Sequence, residues 1–224
     1  MSLPTETYVL SVNAPGALDR AVEALGRGEV VAFPTDTVYG LGTHAFLPRA
    51  VLHLYAVKER PSNLAIPLLL PDAHALDAVC QPVPAQARTL ARHFWPGALS
   101  LVLPRAPAVP PAVTAGGPTV AVRVPDHPLV RRLCRQLGAP LAATSANLHG
   151  YPPPIAADDV AVALGGRLPL ILDGGVCPGG VPSTVLDLTV SPPAILRPGP
   201  VTADQLAAVL GLRVTGSYGC CIVY

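Results

Sequence analysis

Short apolar runs alternate with stretches of helical spacing, and glycine or proline punctuates the joins. Tyr8 to Val12 reads as a first strand. Leu18, Ala21, Val22 and Leu25 then recur at the spacing of a helix with one buried face, with Asn13 as its cap and Gly28 as its end. Val30 to Phe33 reads as a buried strand, which Pro34 stops because proline has no N–H for a sheet ladder. A helix bearing Val51, Leu54 and Tyr55 runs into the segment 58–63, where Pro61 forbids regular continuation. Ile66 to Leu70 is the next buried strand, and Asp72 to Val79 and Pro84 to Phe94 are helices. Strands follow over Leu99 to Leu103 and Thr119 to Val124, separated by a loop rich in Pro, Ala and Gly. Asp126 can cap a helix through Leu129, Val130, Leu133 and Leu137, which Gly138 closes. Leu141 to Ala143 and Leu170 to Asp173 are short strands around a small helix at 159–164. Ser183 to Leu188 and Ala194 to Leu196 are strands, and Thr202 with Gln205 forms a capping box for a last helix. This interleaving predicts an α/β fold with a mixed sheet, a single domain over 1–212 and a tail over 213–224.

Composition narrows the function classes. Half of the 224 residues are hydrophobic but only 4% are aromatic, so Ala, Val and Leu do most of the packing. The 28 prolines sit at the ends of apolar runs, as punctuation of a globular fold. Five cysteines without CxxC spacing argue against a disulfide framework or a zinc site and fit a cytoplasmic protein. The start has neither a basic nor an apolar leader region, and no apolar run approaches the ~20 residues that span a bilayer, so no membrane association is expected. The net charge of +1 disfavours stable binding to a polyanion.

Polar groups concentrate where strands end. Thr35 and Thr37, within the run 34–42, follow the strand that stops at Pro34. Ser145 and Asn147 follow another strand, and Ser183 and Thr184 follow a glycine-rich loop. Lys58 and Arg60 sit in a loop fixed by Pro61, Arg123 ends a strand, and Arg197 follows one. Were these ends to share a face, they would form a cleft with four cations and many neutral hydrogen-bonding groups. Such a cleft suits a polyphosphate and a small carboxylate-bearing molecule. Six histidines without HExxH or i,i+4 pairing argue against a catalytic metal. The glycine-rich loop 174–184 lacks the lysine of a Walker A motif. Ser145 has no evident histidine partner, so a hydrogen-bonding role fits it better than a nucleophilic one. Nothing near Cys177 in sequence would lower its pKa.

The ordered set Pro34-Thr35-Asp36-Thr37-Val38-Tyr39-Gly40-Leu41-Gly42, Lys58-x-Arg60-Pro61, Trp95-Pro96-Gly97, Ser145-Ala146-Asn147, Ser183-Thr184-Val185-x-Asp187 and Arg197-x-Gly199 resembles the YrdC family, over about Leu18 to Leu210. The resemblance is to the short bacterial members, and it implies a twisted open α/β sheet with a positively lined concave face. It implies synthesis of threonylcarbamoyl-AMP and pyrophosphate from L-threonine, bicarbonate or CO2, and ATP, for the t6A modification of tRNA. It further implies that Thr35, Arg123, Ser145 and Ser183 contact threonine. Lys58, Ser62, Thr119, Asn147 and Arg197 then contact the nucleotide, Arg60 is the second cation of the Lys-x-Arg pair, and Lys58 and Arg60 are the catalytic charges. Asp36 is assigned to holding its loop. Mg2+ is expected to arrive with ATP rather than in a protein site. Transient contact with tRNA or with downstream t6A enzymes stays open. Two alternatives stand beside this reading: a YciO-like paralogue, and an RNA-binding module of the same fold without synthase activity.

Overall fold

The computed structural model describes residues 6–216. Eleven strands form one sheet among these residues: β1 Tyr8–Ser11, β2 Val31–Phe33, β3 Gly40–His44, β4 Leu68–Leu69, β5 Leu99–Pro104, β6 Thr119–Arg123, β7 Leu141–Ser145, β8 Leu170–Asp173, β9 Thr184–Asp187, β10 Ala194–Arg197 and β11 Thr215–Gly216. Their spatial order is β1-β8-β2-β3-β7-β4-β6-β5-β9-β10-β11. The pairs β1–β8, β2–β8, β4–β6, β5–β9 and β10–β11 are parallel. The pairs β2–β3, β3–β7, β4–β7, β5–β6 and β9–β10 are antiparallel. The sheet is therefore open and mixed, as the alternation of elements predicts.

Seven helices flank it: α1 Ala17–Gly26, α2 Pro48–Lys58, α3 Leu76–Val79, α4 Ala85–Phe94, α5 Pro128–Leu137, α6 Ala157–Leu164 and α7 Ala203–Leu210. The period-2 alternation of strand side chains divides the core in two. One face packs Leu54 of α2, Leu90 of α4, Val160 of α6 and Leu206 of α7 against strand residues such as Leu41, Leu101 and Val122. The other face is covered by α1 and α5, through Ala21, Leu25, Val130 and Leu133, over β2, β4, β7 and β8. Beyond that cover, Val102, Ala121 and Val185 form only a small cluster, with Leu196 beside it. The uncovered half of this face, over β6, β5, β9 and β10, is where the site lies.

Several local expectations shift. Asn13 does not cap α1: Gly16, with φ 74°, precedes the helix and no side chain caps it. Asp126 lies one residue too early for α5, whose N-cap is His127 and whose first turn carries Pro128, already set to helical φ. The capping box of Thr202 and Gln205 is present on α7. Strand β4 keeps only Leu68 and Leu69 of the five-residue run, while β7 extends to Ser145. The sheet reaches past the expected boundary at 212, because Thr215 pairs with Ala194 on β10. Cys220 and Cys221 lie outside the described residues. No helix among the described residues is long and apolar enough to cross a membrane.

The largest departure is β3. The sequence reading stops the strand at Pro34 and takes the run 34–42 as a polar strand end, yet Gly40 to His44 is itself a strand that pairs with both β2 and β7. The glycines are there for space. A Cβ on Gly40 would come within 2.7 Å of the Phe33 ring, and one on Gly42 within 2.9 Å. The Phe33 ring fills the space beside both glycines, and overpacking of this kind costs about 1–3 kcal/mol. Gly40→Ala is therefore expected to lower the unfolding free energy by that amount, read as a lower denaturant midpoint with an unchanged m-value. In a Phe33→Leu background the same substitution should cost less than half as much. An equal cost in both backgrounds would exclude the ring as the cause.

Candidate active site

Because the sheet is mixed, carboxyl ends of some strands abut amino ends of their neighbours. The carboxyl ends of β6, β7 and β10 bring Arg123, Ser145 and Arg197 to the amino ends of β3, β5 and β9. Together with the end of α2 they line a cavity of about 410 Å³, a size that fits a small-molecule substrate. Lys58, Arg60, Arg123 and Arg197 all line it, along with Thr35, Ser145, Asn147 and Ser183. Eight of the ten residues expected from sequence thus share one cavity. The other two do not line it: Ser62 is exposed in the loop after α2, and Thr119 sits half-buried at the far end of β6.

Lys58 is the last residue of α2, and Glu59, in the left-handed region at φ 53°, turns the chain away. The side chain is 2% exposed and has no carboxylate partner. Its Nζ donates to Ser145 O at 2.7 Å, Asn147 O at 2.8 Å and Asn147 Oδ1 at 3.0 Å. All three are acceptors only, so they call for the three hydrogens of an ammonium. Burial, with Arg60 nearby, pushes the pKa down to about 7. Lys58 is thus a charge that neutral dipoles orient and nothing neutralises.

Arg123 differs. Its Nη2 donates to both Asp36 oxygens at 2.6 Å, Nη1 to Thr37 Oγ1 at 3.1 Å, and Nε to Gly97 O at 2.8 Å. Burial lowers its pKa, and Asp36 works in the opposite direction. Asp36 therefore holds its loop by holding Arg123. The fork that sequence reasoning leaves open for a ligand's carboxylate is largely filled from within, leaving one Nη1 hydrogen.

The polarity continues through Thr37 and Thr35. Thr35 Oγ1 donates to Val38 O at 2.7 Å, so in its 2.9 Å contact with Thr37 Oγ1 it is the acceptor. Thr35 also accepts from Thr37 N at 3.1 Å. Its hydroxyl shapes the 34–39 turn and has no proton left for a substrate. Asn147 is likewise committed, its Nδ2 donating to Leu148 O at 2.8 Å and Tyr151 O at 2.6 Å.

Arg197 donates from Nε and Nη2 to Ser183 O at 3.1 and 2.9 Å, and from Nη2 to Ser183 Oγ at 3.1 Å. Burial first, then Arg123 and Arg60, push its pKa down to about 10. Arg60 donates to Ala65 O at 2.9 Å and Leu64 O at 3.3 Å, and burial lowers its pKa too. Ser183 Oγ also meets Ser100 Oγ at 2.9 Å. The sequence reading passes over Ser100 as a site residue, although a lone serine in an otherwise apolar strand facing the open side was the available signal. It also passes over Tyr39, whose OH donates to Gly175 O at 2.9 Å and accepts from Gly174 N at 3.2 Å.

These last bonds pin the loop 174–182 to the 34–39 turn, helped by Gly180 N donating to Thr37 O at 2.8 Å. Gly179 packs against the same turn so closely that a Cβ there would lie 2.5 Å from Asp36 O. Cys177, in this loop, is buried, and burial raises its pKa, which suits a packing residue and not a nucleophile. Among the described residues no group of three or more His, Cys, Asp or Glu could hold a metal ion.

The same architecture recurs in known proteins. The Sua5/YciO/YrdC family model, described as telomere recombination, matches residues 23–199. The threonylcarbamoyl-AMP synthase of Bacillus subtilis is 48% identical over 206 residues, covering 92% of this chain and 59% of that protein. A putative threonylcarbamoyl-AMP synthase of Mycobacterium tuberculosis is 40% identical over 199 residues, covering 89% of this chain and 91% of its own length. The structure of Pyrococcus abyssi Sua5 complexed with L-threonine aligns with a TM-score of 0.88 at 38% identity, over 94% of this chain and 62% of that one. Escherichia coli YciO aligns with a TM-score of 0.79 at 25% identity, over 90% and 99%. The chain thus spans little more than half the length of the Bacillus and Pyrococcus synthases, 59% and 54%. By sequence and by architecture it belongs to the Sua5/YciO/YrdC family.

Proposed function

We propose that the protein is an L-threonylcarbamoyladenylate synthase, forming threonylcarbamoyl-AMP and pyrophosphate from L-threonine, bicarbonate or CO2, and ATP, for the t6A modification of tRNA. The observation that carries this reading is the convergence of Lys58, Arg60, Arg123 and Arg197 on one cavity, whose lining among the described residues holds no carboxylate side chain and where Asp36 pairs with Arg123 from behind. Such a surplus of oriented positive charge calls for a polyanion and a carboxylate. The synthases named among its relatives and the threonine-bound Pyrococcus structure support the choice of substrates.

In the proposed reaction the threonine amine takes up bicarbonate, losing water, to give a carbamate. A carbamate oxygen then attacks the α-phosphorus, and pyrophosphate leaves. No protein nucleophile takes part, and catalysis consists of positioning and electrostatics. Lys58, Arg60 and Arg197 meet the phosphates. Ser145, Ser183 and the remaining Nη1 hydrogen of Arg123 meet threonine, with Thr35 shaping the turn behind them. Asn147 acts on the nucleotide through Lys58, which it holds. No carboxylate side chain among the described residues lines the cavity, so Mg2+ enters as the magnesium salt of ATP, bound by phosphate and water. Soluble turnover in the cytoplasm, with the product passing to later t6A enzymes, completes the reading.

Two measurements test it. Pyrophosphate release from ATP is expected to require both threonine and bicarbonate, and to fall by about 100-fold or more in Lys58→Ala. Release that ignores threonine would instead favour a paralogue using another amine. The second concerns pH. Phosphate beside Lys58 stabilises the ammonium, so the pKa in the complex rises above the free value of about 7. Between those two values binding takes up a proton, and affinity falls as pH rises. Calorimetry at pH 8 in buffers of different ionisation enthalpy is expected to show proton uptake by the native protein. Lys58→Arg, which stays charged, should show none. Equal proton counts in the two proteins would remove Lys58 from the phosphate site.

A further inference from the structure

The cations of the cavity account for phosphate and carboxylate, but a nucleotide also brings a flat, apolar base. Three lining residues carry rings: Tyr39, His149 and Tyr151. Tyr39 is wholly buried, its hydroxyl committed to Gly175 O and Gly174 N, so its faces belong to the core. Tyr151 is the opposite case. It lines the cavity and yet is 68% exposed, among the most exposed large apolar side chains described.

Its backbone, by contrast, is fixed. Tyr151 N donates to Leu148 O at 3.2 Å, closing a turn. Asn147 Nδ2 donates to Tyr151 O at 2.6 Å while Asn147 Oδ1 accepts from Lys58 Nζ at 3.0 Å. His149 N donates to Lys58 O at 2.9 Å. The turn 147–151 is thus fastened to both the main chain and the ammonium of Lys58. A large ring with a free surface stands at a set distance from the cation expected to hold phosphate. Aromatic rings are surfaces on which nucleobases stack.

We propose that Tyr151 is the platform on which the nucleobase stacks, and that the turn 147–151 sets the spacing between base and phosphates. This rests on the nucleotide reading above and adds to it the residue that distinguishes a nucleoside triphosphate from triphosphate alone. Stacking of one base on an aromatic ring changes affinity by about 5- to 100-fold.

The test compares ATP with inorganic triphosphate by titration calorimetry on the native protein, Tyr151→Ala and Tyr151→Phe. Native protein is expected to bind ATP more tightly than triphosphate. Tyr151→Ala should lose about 5- to 100-fold in ATP affinity and nothing for triphosphate, and Tyr151→Phe should bind both as the native protein does. Because the clamp on the turn uses only backbone atoms of residue 151, unchanged triphosphate binding reports that the turn is intact. Equal loss for both ligands in Tyr151→Ala would mean that the side chain serves the turn, overturning the proposal. So would full ATP affinity in Tyr151→Ala, or a loss in Tyr151→Phe equal to that in Tyr151→Ala. If the native protein binds triphosphate and ATP equally, stacking is excluded while the phosphate site stands. If it binds neither, the nucleotide reading fails and this proposal with it.

Discussion

Burial of positive charge is the constraint around which the site is built. A desolvated ammonium or guanidinium is costly unless hydrogen bonds or counter-charges offset it. For Lys58 the offset comes from neutral acceptors, Ser145 O and Asn147, while Arg60 and Arg197 also donate to carbonyls, Ala65 O and Ser183 O. Around Lys58 these dipoles fix where the ammonium points without cancelling its field. The lowered pKa values of Lys58 and Arg197 express that tension, since burial penalises the charged form and the cations repel one another. An anionic ligand relieves it.

The topology makes this arrangement available. In a purely parallel sheet all carboxyl ends face one way, and ligands gather outside them. Here antiparallel neighbours place carboxyl ends carrying Arg123, Ser145 and Arg197 beside amino ends carrying Ser100 and Ser183. Helices α1 and α5 cover only one half of this face, so the other half stays open to a ligand. The Phe33 ring lying over Gly40 and Gly42 lets β3 join β2 to β7, and this joins the 34–39 turn to the rest of the cavity.

Much of this was legible in the chain. The helices of clear period and the cluster of polar residues at strand ends come through because burial and ligand binding both leave marks in residue type. What stayed hidden depends on contacts distant in sequence. The strand β3 stays hidden because the reason Gly40 and Gly42 are glycine is a ring on another strand. Thr35 and Asn147 read as ligand groups because the partners that use up their hydrogen bonds, Val38 O for one and Tyr151 O with Lys58 for the other, cannot be inferred from spacing. Ser62 and Thr119 lie close in sequence to the cavity residues Arg60 and Arg123 but do not line the cavity.

The pairing of Arg123 with Asp36 contrasts with Lys58, which only neutral acceptors hold. Arg123 is buried, and breaking a buried pair of this kind typically costs about 3–5 kcal/mol. With Asp36 in place, Arg123 becomes a strut joining β6 to the 34–39 turn and, through Thr37, to the hydroxyl of Thr35. The same carboxylate at Lys58 would compete with any phosphate for the ammonium. Placing the acid on Arg123 and only dipoles on Lys58 lets the fold be held by charge without spending the Lys58 ammonium.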